Sequence, residues 1–349
     1  MTGRITTQPP ADGMALKEPA FICYEPGLVS PNVFTFVTRG WSQVRQLGLR
    51  LIWLRYIRRR AILRTPPVTC PNDAPYEVHT QICARDALNL IWTLKSFAFH
   101  ARVPFRLVIF CDASVTPDLT EMIRAHFPGA KIVSIVKTPG ETTIMLATRP
   151  TLTKMRNDPR FITLPKVTDS YTAREHDVVL MIDPDVLFLG RPDDLLAEYD
   201  AARTYFGKYN MPTISDFPHN YCFDTAEFER VFELQLPRVF NAGLGSVNYR
   251  LIDWDLIEDA ATRVPFEPTL GLMADQTMAG ITCAARGLSE LPPAAYAIQP
   301  VGSLQGVVAR HYFSKTRDLF YVEGMPELIR QGLLKNNFRF PAQPAISAG

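Results

Sequence analysis

Two aspartates one residue apart, Asp183 and Asp185, close the apolar run in HDVVLMIDPDVLFLGRPDDLL. The branched residues before them predict a strand buried on both faces, so the pair emerges where that strand ends. In open α/β sheets, ligands bind beyond the carboxyl ends of the strands. Two carboxylates at such an edge call for compensating positive charge. A hard divalent cation supplies it, taking oxygen ligands and keeping positions open for substrate phosphates. The plainer reading is that the pair caps a strand or a helix, and the surrounding elements have to decide.

Those elements begin at Tyr76, where strand and helix patterns start to alternate. Tyr76 to Cys83 reads as a strand, and Arg85 to His100 carries Leu88, Ile91, Trp92, Leu94 and Ala98 at helical spacing. Phe105 to Cys111 is a nearly all-apolar strand, and Pro117 to Phe127 is a helix with proline in its first turn. Lys131 to Val136 and Asp177 to Ile182 complete four strands, with irregular material expected between the last two. The pattern predicts an α/β fold with a mainly parallel sheet covered by helices. Residues 76–338 form this domain, and residues 339–349 a loose tail.

The chain upstream is different in kind. Residues 1–32 carry Pro9, Pro10, Pro26 and Pro31 with little periodicity and read as an irregular arm. Between 33 and 64, tryptophan, leucine and isoleucine interleave with Arg39, Arg45, Arg50, Arg55, Arg58, Arg59, Arg60 and Arg64, and no acidic residue occurs. A basic amphipathic helix of this kind lies on an anionic membrane surface, or packs on the core with its arginines solvated. Residues 65–75, rich in proline, read as the linker that completes this 33–75 extension.

Composition narrows the function classes. With 47% hydrophobic and 21% charged residues among 349, the chain has the balance of a globular protein. A net charge of +2 is too mild for nucleic acid, which asks for a dense basic face. The six cysteines are scattered without a CxxC pair, so neither a zinc site nor a disulfide framework is expected, and a reducing cytosol fits. No secretory signal is read at the start, and no apolar stretch reaches the roughly 20 residues of a membrane span. The expected location is cytoplasmic, with peripheral membrane contact if residues 33–64 meet lipid.

The strand VVLMIDPDVLFL resembles the strand-DXD-strand signature of GT-A glycosyltransferases, especially the family-eight and glycogenin-like enzymes. That resemblance implies a Mn2+ (or Mg2+) site and a nucleotide-sugar donor, a UDP-sugar in those enzymes. Further segments follow in the family's order. The first strand and helix place Thr80 and Gln81 near the nucleotide base, and Lys166 in LPKV resembles the basic residue that touches donor phosphates. Phe240-Asn241-Ala242-Gly243 resembles the family's FNAG strand at the sugar pocket, and Asp275-Gln276 the acidic-Gln pair that faces the transferred sugar. His311 resembles the histidine that completes the metal shell beside Asp183 and Asp185, and Lys315 the phosphate-contacting lysine, although the family's Gly and Pro-Trp neighbours are absent. Each of these residues has an ordinary structural reading as well: a surface lysine, a glycine turn, a helix-start carboxylate or a buried imidazole.

The expected function is therefore metal-dependent, retaining transfer of a sugar to a glycan, lipid-linked or other hydroxyl acceptor. In such a reaction the metal and a lysine stabilise the departing diphosphate while Asp275 or Gln276 faces the positive sugar carbon. Two other readings compete. A GT-A-like fold whose motifs have decayed would be a binding module, and a haloacid-dehalogenase-type phosphatase would use Asp183 as nucleophile, although its aspartate strand normally opens the domain.

Overall fold

The computed structural model describes residues 48–204, 209–211, 221–238, 241–298, 303–313 and 316–340. Seven strands form one mixed sheet in the order β3-β2-β1-β4-β7-β6-β8. These are β1 (Tyr76–Ile82), β2 (Phe105–Cys111), β3 (Lys131–Ser134), β4 (Val178–Ile182), β6 (Tyr209–Met211), β7 (Leu244–Asn248) and β8 (Leu288–Glu290). The first four in chain order run parallel, β7 is antiparallel to β4 and β6, and β8 is parallel to β6. A second, three-stranded sheet has the order β5-β10-β9, from β5 (Val186–Phe188), β9 (Tyr296–Ala297) and β10 (Ala309–His311).

Period-two alternation decides which layer each strand residue joins. Val178, Leu180 and Ile182 of β4 enter the large core beneath α1 (Ala87–Ala101) and α2 (Pro117–His126). Val179 and Met181 enter the core on the opposite side, shared with α9 (Ala274–Arg286) and with residues of the 146–167 and 221–266 segments. Helices thus cover the sheet on both sides, which explains the unbroken apolar runs in β2 and β4.

The strands expected from sequence are present with boundaries shifted by one or two residues, but the stretch between β3 and β4 differs. It contains three short helices, α3 (Gly140–Leu146), α4 (Pro150–Arg156) and α5 (Pro165–Ala173), rather than irregular chain. Each spans only about two turns, too short for a 3.6-residue apolar rhythm to declare itself. Later in the chain come α6 (Asp193–Thr204), α7 (Thr225–Phe232) and α8 (Trp254–Arg263).

Helix α5 is held to β1 by a buried polar relay. Glu77 is acceptor-only when ionised, so His79 Nε2 donates to it at 2.8 Å, leaving Nδ1 to accept from the Ser170 hydroxyl. Ser170 in turn accepts from Tyr249. Arg106 and the His176 N–H also bond the Glu77 carboxylate. This relay fixes the register of the helix that carries Lys166.

The N-terminal segment is helical from residue 49, but as three successive windings: α over Leu49–Ile52, π over Trp53–Ile57 and 3-10 over Arg58–Arg64. Residues before 48 lie outside the described residues. The proline-rich stretch after it packs on the domain: Val68 N–H donates to His126 O and Cys70 N–H to Pro128 O, both at 2.9 Å. Buried Lys95 holds it further, through Thr65 Oγ1 at 2.6 Å and Pro66 O at 2.7 Å. Among the described residues no helix is long and apolar enough to cross a membrane.

Candidate active site

The turn from β4 to β5 is Asp183-Pro184-Asp185, so the carboxylate pair sits where the chain passes from one sheet to the other. Four contacts hold it. Asp183 N–H donates to Gly243 O at 2.7 Å, and Val186 N–H to Asp183 O at 3.2 Å. Thr93 of α1 donates to Pro184 O at 2.9 Å, and Tyr312 N–H to Asp185 O at 2.9 Å. The turn opens on a cleft of about 230 Å3 at the carboxyl ends of β1 and β4.

β10 pairs antiparallel with β5, with His311 opposite Val186, and this register brings an imidazole back to the aspartates. Its Nε2 lies 3.0 Å from Asp185 Oδ1 and 3.8 Å from Asp183 Oδ2. One ligand atom from each of the three residues lies within 4.8 Å of the others. The tautomer follows from hydrogen bonding. Asn241 Oδ1 accepts the Gly243 N–H at 2.8 Å, so it is the oxygen that also faces His311 Nδ1 at 2.9 Å, and Nδ1 carries the proton. The Nε2 lone pair is thereby turned toward two carboxylates, an arrangement that a cation between them makes attractive. Two carboxylate oxygens and one imidazole nitrogen could together hold a divalent metal ion.

Gly243 is required at this position by space. A Cβ there would lie 2.2 Å from His311 Cε1 and 2.6 Å from its Nδ1. This glycine, just before β7, is what allows the ring to stand beside Asn241.

Two cations bound the aspartates. Lys166 Nζ, buried on α5, contacts Asp183 Oδ1 at 2.6 Å, Asp275 Oδ2 at 2.9 Å and Ala242 O at 3.1 Å. Burial opposes its charge, but the Asp183 and Asp275 carboxylates outweigh it and raise its pKa. Arg317 donates to Asp185 Oδ2 at 2.8 Å and to Asp86 Oδ1 at 3.1 Å. Burial also pushes the Asp183 carboxyl upward despite Lys166, with Asp185 and Asp275 adding to the effect. At Asp185 burial is overcome by the His311 ring in its doubly protonated form and by Arg317, which hold the carboxyl well below the usual carboxylate range.

No family model matches the chain, and no curated protein matches it. Several solved structures do. The chain is similar to mouse xyloside xylosyltransferase 1 in its apo form, at 12% identity over 72% of this chain and 99% of that one, with a TM-score of 0.45. It is similar to the galactosyltransferase LgtC in complex with donor and acceptor sugar analogues, at 12% identity over 76% and 98%, TM-score 0.42. A third is core-mannan synthase A from Aspergillus fumigatus in its Mn/GDP form, at 10% identity over 64% and 72%, TM-score 0.37. All three are glycosyltransferases. Identities this low transfer no residue role, and the roles below rest on the geometry of this chain.

The cleft gathers most of the residues singled out in the sequence. Gln81, Lys166, Asp183, Asp185 and Gly243 line it, as do Asn241, Asp275, Gln276 and His311. Thr80 does not. Alternation along β1 turns it to the opposite face from Gln81, where its hydroxyl is buried with no partner among the described residues. Gln81 donates from Nε2 to Ile162 O at 2.7 Å and leaves its buried Oε1 unpartnered among the described residues. Lys315 lies outside the described residues. From that segment, Arg317 is the basic side chain that reaches the cleft.

Three charged lining residues were missed by sequence reasoning: Asp86, Asp112 and Arg317. Asp112 follows directly on β2 and Asp86 comes shortly after β1, so a search for carboxylates just past predicted strand ends would have found both.

Proposed function

We propose that this chain is a metal-dependent glycosyltransferase that moves a sugar from a nucleotide-diphosphate donor, a UDP-sugar by preference, to a hydroxyl acceptor with retention of configuration. The observation that carries the reading is the convergence of Asp183, Asp185 and His311, two β-turn carboxylates and an imidazole from a distant strand, at the edge of a ligand cleft. Five carboxylates in the cleft, Asp86, Asp112, Asp183, Asp185 and Asp275, would repel a diphosphate. A divalent cation held by Asp183, Asp185 and His311 reverses that charge and stabilises the negative charge growing on the leaving diphosphate.

The chain's own groups divide the remaining work. Asn241 holds His311 in the tautomer that offers Nε2. Arg317, fixed by Asp86 and Asp185, presents its guanidinium at the cleft wall where a phosphate oxygen can share it. Lys166 ties Asp183 to Asp275, so the carboxylate facing the sugar carbon keeps a set position relative to the diphosphate. Gln276, next on α9, lines the same cleft and offers an amide to sugar hydroxyls. Gln81, at the end of β1, lines the cleft and would be the residue to meet the nucleotide base.

The test is donor cleavage and binding across nucleotide sugars with and without manganese, in the wild type and in Asp185→Asn. The wild type should bind UDP and slowly cleave one donor only when manganese is present. Asp185→Asn should lose about 100-fold or more of that activity while melting cooperatively. Undiminished cleavage by the variant, or no nucleotide binding by the wild type, refutes the proposal. Hydrolysis of a simple phosphomonoester without any donor would instead support the phosphatase reading.

A further inference from the structure

The N-terminal helical segment has two apolar faces, and the fold uses one of them. Leu51, Leu54 and Ile62 are buried in the main core. Leu49, Trp53 and Ile57, spaced four apart, are 74%, 48% and 61% exposed. Four-residue spacing places these three on one side of a helix. A helix that merely packs on a core has polar residues on its outer side. Here that side carries a tryptophan and two large aliphatic residues.

Charge identifies what could cover them. No acidic residue occurs between positions 33 and 64. Arg50, Arg60 and Arg64 are exposed and make no ion pair among the described residues. Arg58 lies over the Trp53 ring, 5.8 Å from its centroid. Arg55 and Arg59 turn inward instead, to Asp318 at 3.4 Å and to Asn89 at 3.2 Å, and so anchor the segment to the domain. A second copy of this face would set its arginines against their own kind.

We propose that Leu49, Trp53 and Ile57 form a docking surface for an anionic lipid bilayer, with the exposed arginines meeting the headgroups. Aliphatic side chains enter the acyl boundary, tryptophan prefers the headgroup level, and cations at the margin add electrostatic attraction. The surface lies close to the cleft. Asp318, which holds Arg55, is the chain neighbour of Arg317, which reaches Asp185. Docking therefore keeps the cleft near the membrane, and the acceptor class is a membrane-resident hydroxyl, a lipid-linked sugar or lipid headgroup. This second step rests on the transferase reading; the docking itself does not.

The experiment is co-sedimentation of the full chain with vesicles of phosphatidylcholine alone and of phosphatidylcholine mixed with phosphatidylglycerol. The wild type should bind the mixed vesicles at least about tenfold more tightly, and high salt should weaken that binding. Leu49→Ser, Trp53→Ser and Ile57→Ser combined should lose about tenfold or more of it, with unchanged melting and unchanged UDP binding. Arg50→Gln, Arg60→Gln and Arg64→Gln combined should remove the preference for anionic lipid. Equal binding to both vesicle types by the wild type, or full binding by the apolar triple variant, overturns the proposal. So does a dimer that the apolar triple variant dissolves while no vesicle binds. Asp185→Asn should sediment like the wild type. Vesicle binding without any nucleotide binding sinks the transferase reading and leaves the docking intact, and the reverse result does the opposite.

Discussion

Replacing Gly243 by alanine tests the proposed metal centre through a residue that would ligate nothing. A methyl carbon at this position lies 2.2 Å from His311 Cε1, 2.6 Å from Nδ1 and 2.9 Å from Asn241 Oδ1. Non-bonded carbons settle at about 3.5–4.0 Å, so the imidazole must retreat by more than about 1 Å. The backbone cannot follow, because His311 is held in register with Val186 of β5. The ring therefore has to rotate away, which breaks the 2.9 Å bond from Nδ1–H to Asn241 and carries Nε2 off the carboxylates. Ligand distances at a metal tolerate only about 0.2 Å, and loss of a supporting partner commonly costs about 10–100-fold in metal affinity. Calorimetric titration of manganese in the presence of UDP should show a loss in that range. The crowding itself should cost about 1–3 kcal/mol of stability, visible in a thermal melt. Because the methyl acts through the ring, Gly243→Ala added to His311→Ala should do little further harm to metal binding. Manganese affinity within about threefold of wild type in a folded Gly243→Ala protein would refute the assignment of His311.

Two other perturbations separate the site from its scaffold. Arg317→Lys cannot bridge Asp86 and Asp185 as the planar guanidinium does, so UDP affinity in the presence of manganese should fall about tenfold, and an unchanged calorimetric constant would remove Arg317 from the diphosphate. Glu77 is fully buried, and although burial alone would raise it, His79, the His176 N–H and Arg106 bring its carboxyl down to about 2. An unfolded glutamate titrates near pH 4.3, so the folded state binds fewer protons between these values: the stabilisation is complete above about pH 4.3 and is lost as pH falls toward 2, amounting to about 3 kcal/mol. Urea unfolding across that window should show the wild type losing its advantage over Glu77→Gln as the pH drops, and parallel curves for the two proteins would refute the role of the buried relay.

How much of this could be read from the chain depended on how local each signal was. β2 and β4 were legible because burial on both faces leaves a continuous apolar run, and the Asp183-Pro184-Asp185 turn was legible because it ends such a run. Helices α3, α4 and α5 were not, since each is too short to show a period. His311 and Asn241 entered only through family resemblance, because nothing near either residue in sequence says that β10 returns to β5. Arg317 went unread because spacing alone does not say that the segment after β10 brings a basic side chain back to the cleft. Asn241 shows the same limit from another side. Its expected part was to bond sugar, yet its side-chain oxygen is taken up by Gly243 and His311.

The division of labour between Arg317 and a metal follows from the two oxygens of Asp185. Oδ2 accepts from Arg317 at 2.8 Å, while Oδ1 faces His311 Nε2 at 3.0 Å. A carboxylate whose anti-metal oxygen is already bonded by a guanidinium cannot swing to take both positions, so Oδ1 stays aimed at the space it shares with Nε2 and Asp183. Lys166 constrains Asp183 in the same way through Oδ1, leaving Oδ2 toward the imidazole. Each aspartate thus spends one oxygen on a fixed protein cation and keeps the other for an exchangeable one. Such an arrangement lowers the cost of assembling the ligand set before the cation arrives, since the rotamers are set by groups that never leave. On the proposed function it also accounts for two permanent cations in a cleft that would need a third: Lys166 and Arg317 orient the carboxylates, and an added cation would turn the cleft from one that repels diphosphate into one that receives it.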